Sequence, residues 1–374
     1  MFRIPTTRKS FGITPSNLKL STCSALPQRF ANASASLLVV ACAYLIYVTV
    51  PHVDDLRKMR SEVFGCTGIT FLALATSVYA ILLVAHYFSE ASPGEAKALL
   101  ALRGLLRILV APRKVRQDGL PPPERLGLLT VIVKVFFAPL MALSLFSLIN
   151  RVIVNGGYLL ANLTALETNF LDIFNSHGFW FSFDVIVSLD VLVFTVGYLV
   201  EHPSLKNVIR SVDPTWLGWS VTMLCYPPIS TITAYVLGGS VSEFPQFSNP
   251  TVHLILNFLV LTLMAIYTSA SLGLGFKGSN LTHRGIVMQG PYRYVRHPAY
   301  AAKNLAWWVG TLPALSAAGE QSFAAALLVF GSSAAWTGIY VLRALTEEDH
   351  LKSVDGEYAS YCTKVKYRFI PGLI

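Results

Sequence analysis

The sequence predicts an all-α fold, a polytopic transmembrane helical bundle of about eight spans. Three observations carry that expectation. The chain has 374 residues, of which 53% are hydrophobic and only 13% charged, and its mean hydropathy is +0.55, too apolar for a soluble globular protein. Apolar runs of about 20 residues, the length that crosses a bilayer, lie near 31–50, 64–88, 127–150, 178–200, 215–238, 252–275, 299–318 and 322–345. The basic residues fall mostly between those runs: with a cytoplasmic N-terminus, the connections on that side hold 22 Lys and Arg and the opposite loops hold 4, as the positive-inside rule requires. The net charge of +9 is therefore membrane topology, and no nucleic-acid partner is expected. Five scattered cysteines without metal-ligand spacing imply neither a disulfide framework nor a metal.

Taken in order, residues 1–30 form a basic arm with no acidic residue, read as a cytoplasmic anchor or as an organelle transit peptide. After two spans, the connection 89–125 carries an amphipathic stretch, 96–110, with Lys97, Arg103 and Arg107 among Leu and Ile. It suits a helix lying on anionic headgroups, or a regulatory partner helix. Pro121-Pro122-Pro123 stiffens entry to the third span. That span contains Lys134 and Pro139, the fourth Asp184 and Asp190, and the fifth Pro227-Pro228; the prolines should kink their helices. A carboxylate in mid-span is a functional candidate. Asp190 has three readings: a cross-helix pair, for example with Lys134, the lining of a substrate pocket, or ion transport. Asn162-Leu163-Thr164 is a glycosylation sequon on the outer side, relevant in a eukaryote. No nucleotide-binding glycine motif, P-loop or nucleophile elbow occurs. The chain divides into the arm 1–30, an N-terminal membrane region 31–250 and a C-terminal core 251–374.

The densest chemistry lies in that core. Gly290-Pro291-Tyr292-Arg293-Tyr294-Val295-Arg296-His297-Pro298-Ala299-Tyr300 precedes an apolar hairpin, and Arg343, Glu347 and Glu348 follow it. Arg343 and Glu347, four apart, share one helix face. A plain membrane-entry loop needs only one or two basic anchors, so headgroup anchoring accounts for Arg293 more readily than for Arg296. The order Gly290-Pro291-Tyr292, Arg296-His297-Pro298-Ala299-Tyr300, hairpin, Arg343-x-x-x-Glu347-Glu348-x-x-Leu351, Tyr358, Tyr361 and Tyr367-Arg368-Phe369-Ile370-Pro371-Gly372 resembles the isoprenylcysteine carboxyl methyltransferase family and its phospholipid methyltransferase relatives.

The resemblance implies S-adenosylmethionine as cofactor, in a cytosolic pocket of the C-terminal core. It implies cofactor-binding roles for Arg284, Gly285, Ile286, Val287, Tyr292, His297, Pro298, Tyr300 and Glu347, and makes Arg343 the substrate-carboxylate arginine. The family's eukaryotic enzymes have His where Arg284 falls and Gln where Lys277 falls. Physically, Glu347 suits the ammonium or ribose of a donor, and Arg343 an acceptor carboxylate held bidentately. Tyr292 and Tyr300 offer ring faces for adenine or a sulfonium. His297 suits a general base or a loop-fixing residue, Arg296 stands beside it as a further catalytic candidate, and Asp190 joins Arg343 as a substrate candidate. Glu347 and Glu348 also read as helical partners of Arg343, and Tyr358 and Tyr361 as packing of the tail. The leading expectation is a multi-pass membrane methyltransferase, of a bacterial inner membrane or the endoplasmic reticulum, acting on a lipid or lipidated acceptor and most simply as a carboxyl O-methyltransferase. The alternatives are an NADPH-dependent sterol-reductase-like enzyme, where Ala299 stands in place of the expected Asn, and a non-enzymatic transporter or assembly factor.

Overall fold

The computed structural model describes residues 26–89, 94–238 and 246–373; most of the basic arm, residues 1–25, lies outside them. In lipid a backbone must satisfy its own polar groups, so apolar runs become helices. The long ones are α1 (Leu26–Thr49), α2 (Gly68–Phe88), α3 (Lys97–Val110), α4 (Pro122–Ala161) and α5 (Phe179–Leu199). Two short helices follow, α6 (Trp216–Met223) and α7 (Ile229–Val236), then α8 (Pro250–Leu274), α9 (Pro298–Gln321), α10 (Phe323–Val354) and α11 (Gly356–Lys364). The strands are two-residue pairs: β1 (Arg60–Ser61) with β2 (Cys66–Thr67), and β3 (Ser211–Val212) with β4 (Thr282–His283), both antiparallel.

Local chemistry sets the starts. Asn249 accepts from the amides of Thr251 and Val252 ahead of α8, Ser322 from Ala325 ahead of α10, and Thr67 from Thr70 ahead of α2, each satisfying a donor the helix leaves unpaired. Proline opens α4, α8 and α9, where its missing N–H costs nothing. Neighbours in space run α10, α9, α8, α5, α4, with α1, α2 and α3 packed on the far side of α4. Phe179, Phe183, Val260, Met264 and Ala306 fill the α5–α8–α9 interface; Val133, Phe137, Tyr198 and Ile209 fill the one between α4 and α5.

Six helical segments among the described residues are long and apolar enough to cross a membrane: Leu26–Thr49, Gly68–Phe88, Pro122–Ala161, Phe170–Leu199, Pro250–Lys277 and Phe323–Val354. Two expected spans fare differently. α9 is a helix of 24 residues, but less apolar than those six. The expected span 215–238 is not one helix: Pro227-Pro228 divides it into α6 and α7, because adjacent prolines withhold two backbone donors and bias the residue before them out of the helix. Arg284 ties the last turn of α5 (Gly197 O, 2.7 Å) to the end of α8 (Phe276 O, 3.1 Å), and Asn175, just before α5, donates to Pro250 O (3.1 Å) at the start of α8. α5 and α8 are therefore parallel, so the chain leaves α5 at one end of the bundle and enters α8 at the other.

The connections rich in Lys and Arg meet at one end. Lys97 and Lys134 (3.0 Å) both pair with Glu201, whose Oε1 also accepts from the Ile209 amide (2.9 Å). Lys134 thus answers Glu201 and not Asp190, which corrects the pairing expected from sequence. Glu201 lies two residues past α5, where the ammonium of α3 also reaches. Burial opposes ionisation of Glu201, yet the two ammoniums and the amide hold its carboxyl down at about 2. The amphipathic stretch is α3, docked on α4 through Ala101 and Gly104, both buried, while Leu106, Leu109 and Val110 stay exposed.

Candidate active site

Pairing of β3 with β4 aligns Ser211 with His283 and Val212 with Thr282, which draws the stretch 279–283 against 211–213. The Gly290–Arg293 turn then leads to α9, with Pro298 at its first position. The C-terminal tail closes over this entry: the amides of Arg296 and His297 donate to the carbonyls of Tyr367 (3.0 Å) and Arg368 (2.8 Å). Tyr361 Oη donates to Tyr292 O (2.7 Å), and Tyr358, Tyr361 and Val365 pack on Ile286 and Leu351.

Beneath the tail Glu348, fully buried, accepts from Arg296 Nη1 (2.9 Å), Lys352 Nζ (3.1 Å) and Arg368 Nε (3.2 Å), and lies 3.2 Å from His297 Nε2. Four cationic or potentially cationic groups from three parts of the chain converge on one carboxylate. The side chains of Arg296 and His297 are largely enclosed there with Glu348, whereas those of Lys352 and Arg368 are partly exposed; a buried charge without its partner is costly. Arg296 also donates to Lys366 O (3.0 Å). Arg296 and His297 are thereby engaged in fastening the tail.

One turn earlier on α10 a narrow slot of about 40 Å³ opens, lined by Asp213, Asn280, Tyr300, Arg343, Glu347 and His350 among others. Arg343 is buried, donates to Asn280 Oδ1 (2.7 Å), and has its guanidinium 5.1 Å from the Tyr300 ring centroid, 5.3 Å from Tyr340 and 5.8 Å from Tyr226. Ring faces favour a desolvated cation, so Arg343 keeps its charge without a buried carboxylate. Glu347, exposed, accepts from Tyr300 Oη (2.9 Å). The helical Arg343–Glu347 pair read from the spacing is thus replaced by two separate contacts, to Asn280 and to Tyr300. Tyr226 Oη meets the amide nitrogen of Asn280 at 3.1 Å. His350 Nε2 lies 3.1 Å from Ser211 Oγ, while its buried Nδ1 has no hydrogen-bond partner.

Of the residues singled out in the sequence, Tyr300, Arg343 and Glu347 come together at the slot. Arg284 is buried on the backbone carbonyls that join α5 to α8, and Gly285 adopts φ +104°, with a side chain there facing Lys277 and Arg210. Ile286 joins the tail cluster, and Val287 is half-buried beside it. Tyr292 packs near Gly273 of α8; burial, then the nearby Glu347 charge, pushes its phenol well above its ordinary value. His283, beside Asp355 (2.9 Å), is held below 6.5 because burial outweighs that carboxylate. Asp190 lies apart, in a second cavity. Sequence reasoning passed over Asn280 and Asp213, which no motif marks, and the convergence on Glu348, whose partners lie 52, 51 and 20 residues away in the chain.

Residues 252–353 match the model of the isoprenylcysteine carboxyl methyltransferase (ICMT) family. No curated protein and no solved structure matches the chain. The matched segment carries Tyr300, Arg343, Glu347 and Glu348. The slot also takes Asp213 and Thr222, which precede it.

Proposed function

Proceeding from an ICMT-type segment at 252–353, we propose that this chain is an S-adenosylmethionine-dependent methyltransferase of a lipophilic acceptor, most simply a carboxyl O-methyltransferase of the isoprenylcysteine type. The observation that carries the reading is the juxtaposition in one slot of a ring-seated guanidinium, Arg343, with a carboxylate, Glu347, tethered by Tyr300. These groups fit the cofactor's chemistry, and the slot, at about 40 Å³, has to widen to admit it. Glu347 suits its ammonium or ribose, and the unpartnered Nδ1 of His350 offers a further polar contact. When bound, S-adenosylmethionine supplies an electrophilic methyl group.

Arg343 orients the acceptor's carboxylate as a planar fork, with Asn280 fixing one edge of the guanidinium. An acceptor that is already an anion needs no proton removed, so the chain's contribution is alignment and exclusion of water. Arg296 and His297 act at one remove, through Glu348, by holding the tail over the entry to α9. The basic end of the bundle faces the cytoplasm in this reading, where the water-soluble donor is available.

The test supplies methyl-labelled S-adenosylmethionine and an isoprenylcysteine with a free carboxylate to the protein in nanodiscs. Label that enters lipid and is released by alkali as methanol supports ester formation. Alkali-stable label indicates transfer to nitrogen or carbon instead, and no transfer to any lipid fraction contradicts the reading.

A further inference from the structure

Where α5 and α8 end, the chain gathers positive charge that no carboxylate answers. Lys277 closes the turn after α8, and Arg210 stands just ahead of β3, its amide donating to His283 O (2.8 Å). A Cβ at Gly285 would lie 3.4 Å from Lys277 Nζ and 3.5 Å from Arg210 Nη2, so the two cationic nitrogens are less than about 7 Å apart. Lys206 is near enough for its charge to bear on Lys277 beside that of Arg210. Among the described residues, none of these three side chains makes an ion pair or a hydrogen bond. Beside them Arg284 is buried with its Nε and Nη2 unpartnered. The acids of this region are engaged elsewhere: Asp355 with His283 (2.9 Å), and Glu201 with Lys97 and Lys134.

Like charges held this close repel one another, and an anion among them relieves that repulsion. Two cationic nitrogens at this separation can share one phosphate, each at a charge-assisted distance of about 2.8 Å. Position decides where the phosphate comes from. Lys277 ends a segment long and apolar enough to cross a membrane, and Arg284 joins the ends of α5 and α8, so the cluster sits at the depth of lipid headgroups. Val208, between Lys206 and Arg210, and Leu272, near the end of α8, are exposed apolar side chains that suit the glycerol and acyl carbons of a lipid. None of the three cations lines the slot, and Lys206 and Arg210 precede the family-matched segment.

We infer that Lys206, Arg210 and Lys277 bind the phosphate of an anionic phospholipid at the basic end of the bundle. A phosphomonoester headgroup, with a charge of about −1.5 to −2 near neutral pH, matches three cations best. A choline headgroup brings a cation of its own and matches them worst. The site does not depend on methyl transfer.

The experiment titrates dioctanoyl phosphatidic acid into the full chain in phosphatidylcholine nanodiscs and reads the thermal unfolding midpoint, which should rise and saturate. The double variant Lys206→Gln with Arg210→Gln should need at least about tenfold more lipid for half of that rise. Arg113→Gln with Lys114→Gln removes the same charge from exposed positions in the basic connection ahead of α4 and should need less than about threefold more. Both pairs replace exposed side chains, so the fold persists. Lys277→Gln, at the half-buried member, should act in the same direction as the first pair, and no loss there would overturn the inference. Equal losses in the two double variants would also overturn it, because the effect would then be one of overall charge. So would the absence of any rise, or an equal rise with inorganic phosphate at the same concentrations, which would assign the cluster to a soluble anion. S-adenosylmethionine is titrated into the same samples: a tenfold weakening by Lys206→Gln with Arg210→Gln would assign these cations to the donor's carboxylate and overturn the lipid site, whereas failure of the native chain to bind S-adenosylmethionine touches only the methyltransferase reading.

Discussion

Glu347 and Glu348 are adjacent in sequence and opposite in circumstance. Glu347 is exposed and touches Tyr300, whereas Glu348 is buried beneath Arg296, His297, Lys352 and Arg368. Glu347→Ala should therefore cost less than about 1 kcal/mol of stability, as an exposed contact does, while weakening S-adenosylmethionine binding at least tenfold. Glu348→Ala should cost about 3 kcal/mol or more by stranding its cations, seen as a lowered unfolding midpoint. Equal thermal effects of the two substitutions would contradict this division. The motif showed that two acids follow the hairpin, and helical spacing placed one on the face of Arg343. Spacing could not assign the buried role to Glu348, because its partners arrive from the entry to α9 and from the tail. Two titrations give a pH dependence at this scale. Glu201 is held at about 2 against an ordinary 4.5, so the unfolded chain binds its proton first as pH falls; the stability it contributes is complete above about pH 4.5 and lost as pH drops toward 2. His283 is held below 6.5, so stability also declines as pH falls beneath 6.5, and His283→Gln should reduce that upper component. A stability profile flat from pH 7 to 5 in the native chain would contradict it.

At the scale of elements, α3 shows what the pattern of leucines conveyed and what it left out. The stretch 96–110 read as an amphipathic helix, and it forms one, Lys97–Val110. That its small residues mate with α4 required the partner's glycine: a Cβ at Gly127 would lie 2.8 Å from both Leu100 Cβ and Lys97 O. Gly127→Val should push the helices apart and destabilise by about 1–3 kcal/mol, measurable as a lower unfolding midpoint. A neutral effect would mean α3 is free of α4. The broken stretch 215–238 illustrates the converse. Hydropathy detects a crossing, and the parallel course of α5 and α8 requires one, but a sliding sum of apolar residues does not register that Pro227-Pro228 interrupts the helix.

Over the whole molecule, the family-like segment is not a self-sufficient site. Asp213 and Thr222 line the slot from the N-terminal side, and β3 pairs with β4 across 70 residues of chain. Such long-range pairing leaves no local periodicity, which is why the motif-bearing core was legible and its N-terminal contribution was not. Two fragments, 1–245 and 246–374, should bind S-adenosylmethionine when co-expressed, and 246–374 alone should not; equal binding by the C-terminal fragment would show that the slot needs no N-terminal residue. The central claim, that this slot is a methyl-donor site, is tested most directly by calorimetry of S-adenosylmethionine and of NADPH on the purified chain beside Glu347→Ala. The account predicts micromolar S-adenosylmethionine binding, on the order of 8 kcal/mol, weakened at least tenfold in the variant, and no NADPH binding. NADPH binding without S-adenosylmethionine binding would contradict it and place the protein with the reductases.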